Sequence, residues 1–400
     1  MWSGATYAAG ANQRIVVGII GCGGMGSGHA HMIARDRSRE FCLTAVADID
    51  PDAAGKVGEA LGVETFDDGV ALMDSGLVDA VLIATPHYDH PPLAIQAARR
   101  RLHVLTEKPM GVTVGPVRAM IAECRRRRVA LGVMFQQRLR PEMRKLKRMV
   151  DAGTLGAIFR VQMLCSSWYR TQSYYDSGQW RGTWDGEGGG ILINQAPHSL
   201  DLYQWIAGMP RRVLATVATR DHRIEVENTA NALLDFGDGR HGYIYATTAE
   251  APGVEQLMVS GEKGTLVAEK GALRFARLKT PLKKHMMTAE AWTRPDVTWK
   301  DVPLPKGRTG HIEITRAFAR HLLRGTPMVA AGAEGVNELA LSNAIYLSGY
   351  KDKPVDLPVD AGEMERLIAR LIRTRSTGRG GNLRKRAHAK MTRLLGKYPA

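Results

Sequence analysis

The sequence predicts an α/β protein, with a doubly wound parallel sheet at its N-terminal end followed by an α+β domain on a large, open, mainly antiparallel sheet. Three observations carry this prediction. Over residues 14–134, apolar runs of strand length alternate with stretches of helical length, the pattern of βαβ units. A glycine cluster closes the first apolar run, where a parallel strand hands over to a helix. After residue 140 the rhythm changes to alternating strands joined by turns such as Gly237-Asp238-Gly239, the mark of an antiparallel meander.

Each element follows in order. Residues 1–13 are small and polar and are expected to be flexible. Strands are expected at 14–20, 43–47, 80–84, 103–106 and 130–134, with helices at 51–61, 91–101 and 115–128. This gives a nucleotide-binding domain over 14–138. A second domain over 139–375 is expected to hold a helix at 141–152, strands at 157–165, 213–220, 230–236 and 241–247, a hairpin around Glu262-Lys263-Gly264, and helices at 310–323, 333–347 and 361–374.

Composition excludes several classes. With 400 residues, 44% of them hydrophobic, the chain is long enough for two domains and a sizeable core. Glycine shows no period of three, and the four cysteines form no CxxC pair, so neither a collagen-like chain nor a local zinc or redox motif is written, and no metal is expected. The start of the chain lacks a basic segment followed by an apolar one, and no apolar run has the length of a membrane span. A cytoplasmic protein without a membrane partner is expected. The formal charge is +15, but seven of those charges (Arg379, Arg384, Lys385, Arg386, Lys390, Arg393 and Lys397) sit in an acid-free tail over 376–400. The run Arg125–Arg128 lies in a stretch of helical length, where a solvated face explains it, and no nucleic-acid-binding motif occurs, so a nucleic-acid partner is disfavoured.

The residues Gly21-Cys22-Gly23-Gly24-Met25-Gly26 match GxGxxG directly after a strand and at the start of a helix. The glycines allow a tight turn, close approach of a pyrophosphate and packing of the helix on the sheet, while the helix N-terminus offers N–H groups to the phosphates. The next strand ends at Asp48, where an acid binds the adenosine ribose hydroxyls of a Rossmann dinucleotide site. Asp50 precedes Pro51 and is assigned to a helix cap instead. Asp48 repels a 2′-phosphate, and Ile49 stands where an arginine would accept one, so NAD is expected as cofactor and NADP is disfavoured.

Further motifs follow: Thr85-Pro86 with His87 and His90, then Glu107-Lys108-Pro109, and much later Gly188-Gly189-Gly190 leading to Asn194, His198 and Asp201. Together with the first glycine motif they match GxGxxG, TPxxxH, EKP and GGGxxx[D/N]xxxHxxD, and the chain from about residue 14 to 375 resembles the glucose-fructose oxidoreductase / inositol dehydrogenase / rhizopine-catabolism (Gfo/Idh/MocA) superfamily. The resemblance implies that Lys108 binds the substrate hydroxyl and the cofactor, and that His198 is the general acid/base. It implies cofactor contacts for Thr85, Pro86, His87, His90, Glu107 and Lys108 beside the glycine loop. The family's frequent Asp is Asn194 here, and an amide cannot balance an imidazolium by charge; Asn194 is left to orient His198 or to bind the substrate hydroxyl.

The residue types suit the chemistry on their own terms. Moving hydride from a carbinol carbon requires loss of the O–H proton, hence a base with a pKa near neutrality and a cation for the developing alkoxide. His198 and a partly desolvated Lys108 are expected to have these properties. Asn194, His198 and Asp201 would share one face of a continuous helix, although Pro197 makes that helix begin or kink there. An aromatic cluster, Trp168, Tyr169, Tyr174, Tyr175, Trp180 and Trp184, is interleaved with Arg170, Gln172, Asp176, Arg181 and Glu187. Flat rings cover sugar C–H faces while polar groups take the hydroxyls, so Tyr169, Arg170, Trp180, Arg181 and Trp184 are expected to bind substrate with Lys108, Asn194 and His198. Arg170 or Arg181 leaves uronates and nucleotide sugars open.

The leading expectation is an NAD-dependent oxidoreductase acting on a sugar, polyol or glycoside. Two alternatives stay open: redox-neutral glycoside cleavage through a transient 3-keto form with tightly bound NAD, and a sugar-responsive regulator without chemistry. The substrate is a small carbohydrate, and a homo-oligomer, dimer or tetramer, is expected because open sheet faces pair.

Overall fold

The computed structural model describes residues 14–375; the flexible N-terminus and the basic tail expected from the sequence lie outside the described residues. Six parallel strands form the first sheet: β1 (Ile15–Ile20), β2 (Phe41–Ala47), β3 (Glu64–Phe66), β4 (Ala80–Ile83), β5 (His103–Thr106) and β6 (Leu131–Val133), in the order β3-β2-β1-β4-β5-β6. The order reverses between β1 and β4, and the crevice beyond the carboxyl ends of those strands is where such sheets bind ligands. Helices α1 (Gly24–Ala34), α2 (Pro51–Leu61), α3 (Gly69–Asp74), α4 (His90–Arg99) and α5 (Val114–Arg127) connect them. Asp50 caps α2, its side chain accepting from Asp52 N at 3.1 Å with Pro51 at the first position, and Gly62 ends that helix at φ +64°. Neither β3 nor α3 is expected from the sequence; both are too short for periodicity to separate them from loop.

The second sheet has nine strands: β7 (Ile158–Cys165), β8 (Arg212–Ala218), β9 (Thr229–Asp235), β10 (His241–Thr247), β11 (Glu255–Gly261), β12 (Gly264–Glu269), β13 (Ala272–Leu278), β14 (Val297–Asp301) and β15 (Val355–Asp356). Its order is β14-β13-β12-β11-β7-β10-β9-β8-β15, antiparallel except for the β7–β10 pair. The remaining helices are α6 (Pro141–Asp151), α7 (Gln172–Asp176), α8 (Pro197–Ala207), α9 (Leu282–Thr288), α10 (His311–Arg324), α11 (Gly332–Lys351) and α12 (Ala361–Arg375). Alternate residues of the strands, such as Val161, Met163 and Cys165, are buried on one face against α8 and α11.

Not all of the later chain stays with the second sheet. Helix α10 turns back, and Ile314, Phe318 and Ala319 pack against Ile15, Val17, Leu82 and Leu105, covering one face of the first sheet. Sequence periodicity gives the helix but not the sheet it covers. This return also brings His311, the first residue of α10, to the junction of the two sheets, beside Gln136.

Candidate active site

The glycine loop forms a cradle at the crevice. Gly21 has φ +96°, a conformation that favours glycine, and a Cβ on Gly26 would lie 1.7 Å from the Gly21 carbonyl oxygen. The N-terminus of α1 is capped by Gly23 without a side-chain bond and has no acid in its first turn, so its N–H groups are left for an anion. Asp48 closes the cradle: Oδ2 accepts from Cys22 N at 2.6 Å and Oδ1 from Asp50 N at 2.9 Å. Met25 and Ile49 are exposed on its rim. These features fit a dinucleotide, with the pyrophosphate at the helix start and the ribose at Asp48. The carboxylate beside the ribose predicts that NAD binds at least about tenfold more tightly than NADP, equal to about 1.4 kcal/mol; equal dissociation constants in a fluorescence titration would contradict this.

The next two motifs divide into groups that reach the crevice and groups that hold it up. His90 is wholly buried, and its two ring nitrogens lie 2.8 Å from the carbonyls of Pro109 and Thr85. It ties two loops together, and both ring nitrogens are engaged in doing so. Glu107 is likewise engaged on both oxygens: Oε1 meets His29 Nε2 at 2.6 Å and Oε2 accepts from Lys108 N at 3.1 Å. Burial by itself raises its pKa, but His29 and Lys108 outweigh that and bring the carboxyl down to about 2. Glu107 thus braces α1 against the Glu-Lys-Pro loop. Thr85 is half-buried and Pro86 exposed beside the crevice. His87 Nδ1 donates to the Glu187 carbonyl at 2.9 Å, and its ring meets the edge of Trp180, so it joins the first sheet to the aromatic loop. Burial, with His90 and Lys108 nearby, pushes His87 down to about 3, so it is neutral.

Lys108 reaches from the end of β5 to the turn before α8. Its Nζ donates to the Asn194 carbonyl at 2.8 Å. Desolvation lowers the ammonium's pKa, and the carboxyl groups of Glu107, Glu338 and Glu187 oppose that fall. The run before Asn194 needs glycine on steric grounds, since a Cβ on Gly190 would lie 1.7 Å from the Glu227 carbonyl oxygen. The buried Glu227 carboxylate holds the turn, accepting from Gly190 N, Leu192 N and the Tyr346 hydroxyl.

The helix α8 begins at Pro197, the first of the two outcomes the proline leaves open, so Asn194 lies in the preceding turn. The Asn194 amide donates to Glu187 Oε1 and to the Tyr174 hydroxyl (3.3 Å) rather than to His198. His198 is buried one residue into α8, with Nε2 3.3 Å from Gln136 Nε2 and no partner for Nδ1 among the described residues. Burial and then the Lys108 charge push it down to about 3. This corrects the expectation of a pKa near neutrality: His198 stands in its neutral, proton-accepting form. Asp201, three residues on, is paired with Arg138 at 2.7 Å, both fully buried, and anchors α8 to the segment after β6.

The aromatic loop also divides. Trp184 is wholly buried against Tyr346 and Tyr350, with Nε1 donating to the Glu225 carbonyl; it is core behind the pocket, which corrects its expected substrate contact. Tyr169 is exposed, and Trp180 is half-buried. The Arg181 guanidinium lies 4.5 Å from the ring centres of both Tyr174 and Trp180, and Arg170 lies 4.7 Å from Tyr174 and 5.4 Å from Trp168. Sequence reasoning places Glu187 only among the polar groups of this loop. In the structure it is buried beside Asn194, its other oxygen accepting from Gly182 N at 2.6 Å, and burial pushes it up to about 7. Gln136, His311 and His29 carry no motif; only their positions in space reveal them.

A nucleotide cradle and a lysine at the carboxyl ends of the first sheet, met by a histidine on α8 and a carboxyl group of the aromatic loop, define an NAD-dependent oxidoreductase acting on CH–OH groups. Residues 15–135 match the family described as "Oxidoreductase family, NAD-binding Rossmann fold", and residues 143–267 match the "GFO/IDH/MocA C-terminal domain". The chain belongs to the Gfo/Idh/MocA family. It is 31% identical over 267 residues to inositol 2-dehydrogenase of Rubrobacter xylanophilus (64% of this chain, 72% of the relative) and 26% identical over 353 residues to D-apiose dehydrogenase of Paraburkholderia graminis (86% and 90%). Among solved structures, the WlbA dehydrogenase from Bordetella pertussis in complex with NADH and UDP-GlcNAcA superposes with a TM-score of 0.74 at 30% identity, covering 87% of this chain and all of that one.

Proposed function

We propose that this protein transfers hydride between NAD and a hydroxyl or keto carbon of a carbohydrate, with Lys108 and His198 at the reacting oxygen. The observation that carries the reading is the meeting of Lys108 Nζ with the Asn194 turn, next to the neutral His198 imidazole. When bound, NAD supplies the hydride acceptor. Lys108 presents an ammonium to the developing alkoxide, and its carbonyl bond to Asn194 aims it. His198 takes the hydroxyl proton in oxidation and returns it in reduction. Asn194 links Lys108 to Glu187, which offers a carboxyl poised near pH 7.

The substrate class is supported by the aromatic loop. Arg170 and Arg181 lie on aromatic faces and have no carboxylate within ion-pairing distance among the described residues, so they suit a sugar that carries a carboxylate or phosphate. The test is a panel with NAD⁺ followed at 340 nm: myo-inositol, D-apiose, levoglucosan and UDP-GlcNAcA, together with aryl glycosides. NADH formed fastest from the acidic sugar supports the reading; an equal or faster neutral sugar sinks the role of the arginines. Aglycone released without NADH favours the redox-neutral alternative.

We also propose a homo-oligomer, dimer or tetramer, formed through the outer face of the nine-stranded sheet. Leu214, Leu233, Tyr243, Gln162, Met258 and Val267 stand in one cross-strand row there, with Leu214 and Leu233 exposed. Leu233→Arg is expected to give a monomer in light scattering, whereas a monomeric wild type would contradict the proposal. No helix among the described residues is long and apolar enough to cross a membrane, and the four cysteines are free thiols, which supports a cytoplasmic setting.

A further inference from the structure

His198 is linked toward the surface by one side chain. Gln136, in the turn after β6, is buried, and its amide nitrogen lies 3.3 Å from His198 Nε2 and 2.9 Å from Nε2 of the half-buried His311. Two buried atoms of this trio have no partner among the described residues: Gln136 Oε1 and His198 Nδ1. A side-chain amide offers either an NH₂ donor or a carbonyl acceptor on turning by half a revolution. Because one end of the amide faces both Nε2 atoms, it imposes the same tautomer on both rings.

The two orientations have different consequences. With NH₂ toward the rings, both Nε2 lone pairs accept and the His198 proton sits on Nδ1. The ring then cannot take a proton at Nδ1, and an imidazolium would turn Nε2–H against an NH₂ group. With the carbonyl toward the rings, both Nε2–H groups donate to one oxygen, which has two lone pairs. His198 keeps Nε2–H in its neutral and charged forms, and Nδ1 alone gains and loses a proton. Turning the amide exchanges one unpartnered buried end for the other, so desolvation does not choose between them; only the carbonyl orientation leaves the neutral ring an atom that can gain a proton, and the imidazolium formed during oxidation then makes a charge-assisted bond to that carbonyl.

We infer that Gln136 is a positioning residue whose carbonyl holds His198 in the Nε2–H tautomer and leaves Nδ1 as the atom that takes the substrate's hydroxyl proton. His311 donates to the same oxygen from the outer side. The inference rests on the reading of His198 as proton acceptor. In oxidation the O–H bond breaks, its proton forms the N–H bond at Nδ1, and the carbinol hydride leaves to NAD⁺.

The test needs no substrate. The full chain with ¹⁵N-labelled imidazoles, loaded with NAD⁺, is recorded in two-bond ¹H–¹⁵N correlation at pH 7, and His198 is identified by its loss in His198→Ala. The expected spectrum shows a protonated Nε2 and a lone-pair Nδ1. In Gln136→Leu that preference is expected to vanish, and in Gln136→Glu, whose carboxylate also accepts from Nε2–H, to persist. An Nδ1–H tautomer in the wild type, or an unchanged tautomer in Gln136→Leu, overturns the proposal. With the substrate found by the panel, Gln136→Leu is expected to lower kcat about 100-fold at an unchanged NAD affinity, and Gln136→Glu to restore most of it with the acid limb of the kcat profile moved to higher pH. Wild-type turnover in His198→Ala would sink the reading of His198 as proton acceptor, whereas the tautomer spectra decide the hold of Gln136 on the ring independently of turnover.

Discussion

Replacing Lys108 with alanine is expected to lower kcat by about 10²- to 10³-fold while NAD binding is retained. The ammonium's bond to Asn194 aims it into the junction where His198 lies, and its deletion removes charge stabilisation that exists mainly in the transition state. His198→Ala is expected to cost about 10²- to 10⁴-fold by removing the proton acceptor. Near-wild-type turnover in both variants would refute the assignment. The pH profile tests the surroundings. Glu187, held near 7 by burial, is neutral below that pH and charged above it. Its charge stabilises the Lys108 ammonium, so kcat is expected to rise with pH through about 7 in the wild type. Glu187→Gln is expected to remove that rise; an identical break in the variant would show that another group titrates.

Arg138→Met is expected to destabilise the protein by about 3 to 5 kcal/mol, because it strands the Asp201 carboxylate, fully buried, without its cation. Burial raises the Asp201 pKa, and only the paired hydrogen bonds and charge of Arg138 oppose this, with a smaller bond from Gln204. Arg138→Met combined with Asp201→Leu is expected to recover much of the loss, since removing both charges also removes the desolvation cost. Urea unfolding measures both variants, and a single substitution costing less than about 1 kcal/mol would contradict this account. The pair holds α8, so the single variant is also expected to disturb His198, one turn away.

Most of the first sheet is legible in the sequence because its strands are continuous apolar runs, and α2 carries a local cap. The 103–106 strand and the 51–61 helix have the expected bounds, the latter fixed by Asp50, Pro51 and Gly62. The glycine loop is legible because its glycine spacing lies within six residues, although Asp48 and the Ala84–Thr85 backbone complete its geometry. What is not legible depends on distant partners. His90 and Glu107 look like ligands in a motif, but their bonds to Thr85, Pro109 and His29 make them braces. A pKa near neutrality for His198 assumes solvent, and burial in the fold removes it. Trp184 belongs to an aromatic cluster in sequence, yet its indole turns into the core toward Tyr346, 162 positions away. Gln136 and His311 lie 175 positions apart and meet only because α10 returns to the first sheet.

The most direct measurement of the central claim is hydride transfer itself. The purified chain is incubated with NAD⁺ and each carbohydrate of the panel, with absorbance at 340 nm and the oxidised product measured together, and Lys108→Ala is run in parallel. The account predicts NADH and a keto-sugar in equal amounts from at least one sugar, and their loss in Lys108→Ala. A panel giving neither NADH nor exchange of a carbon-bound deuterium into the cofactor, from protein that binds NAD, would contradict it.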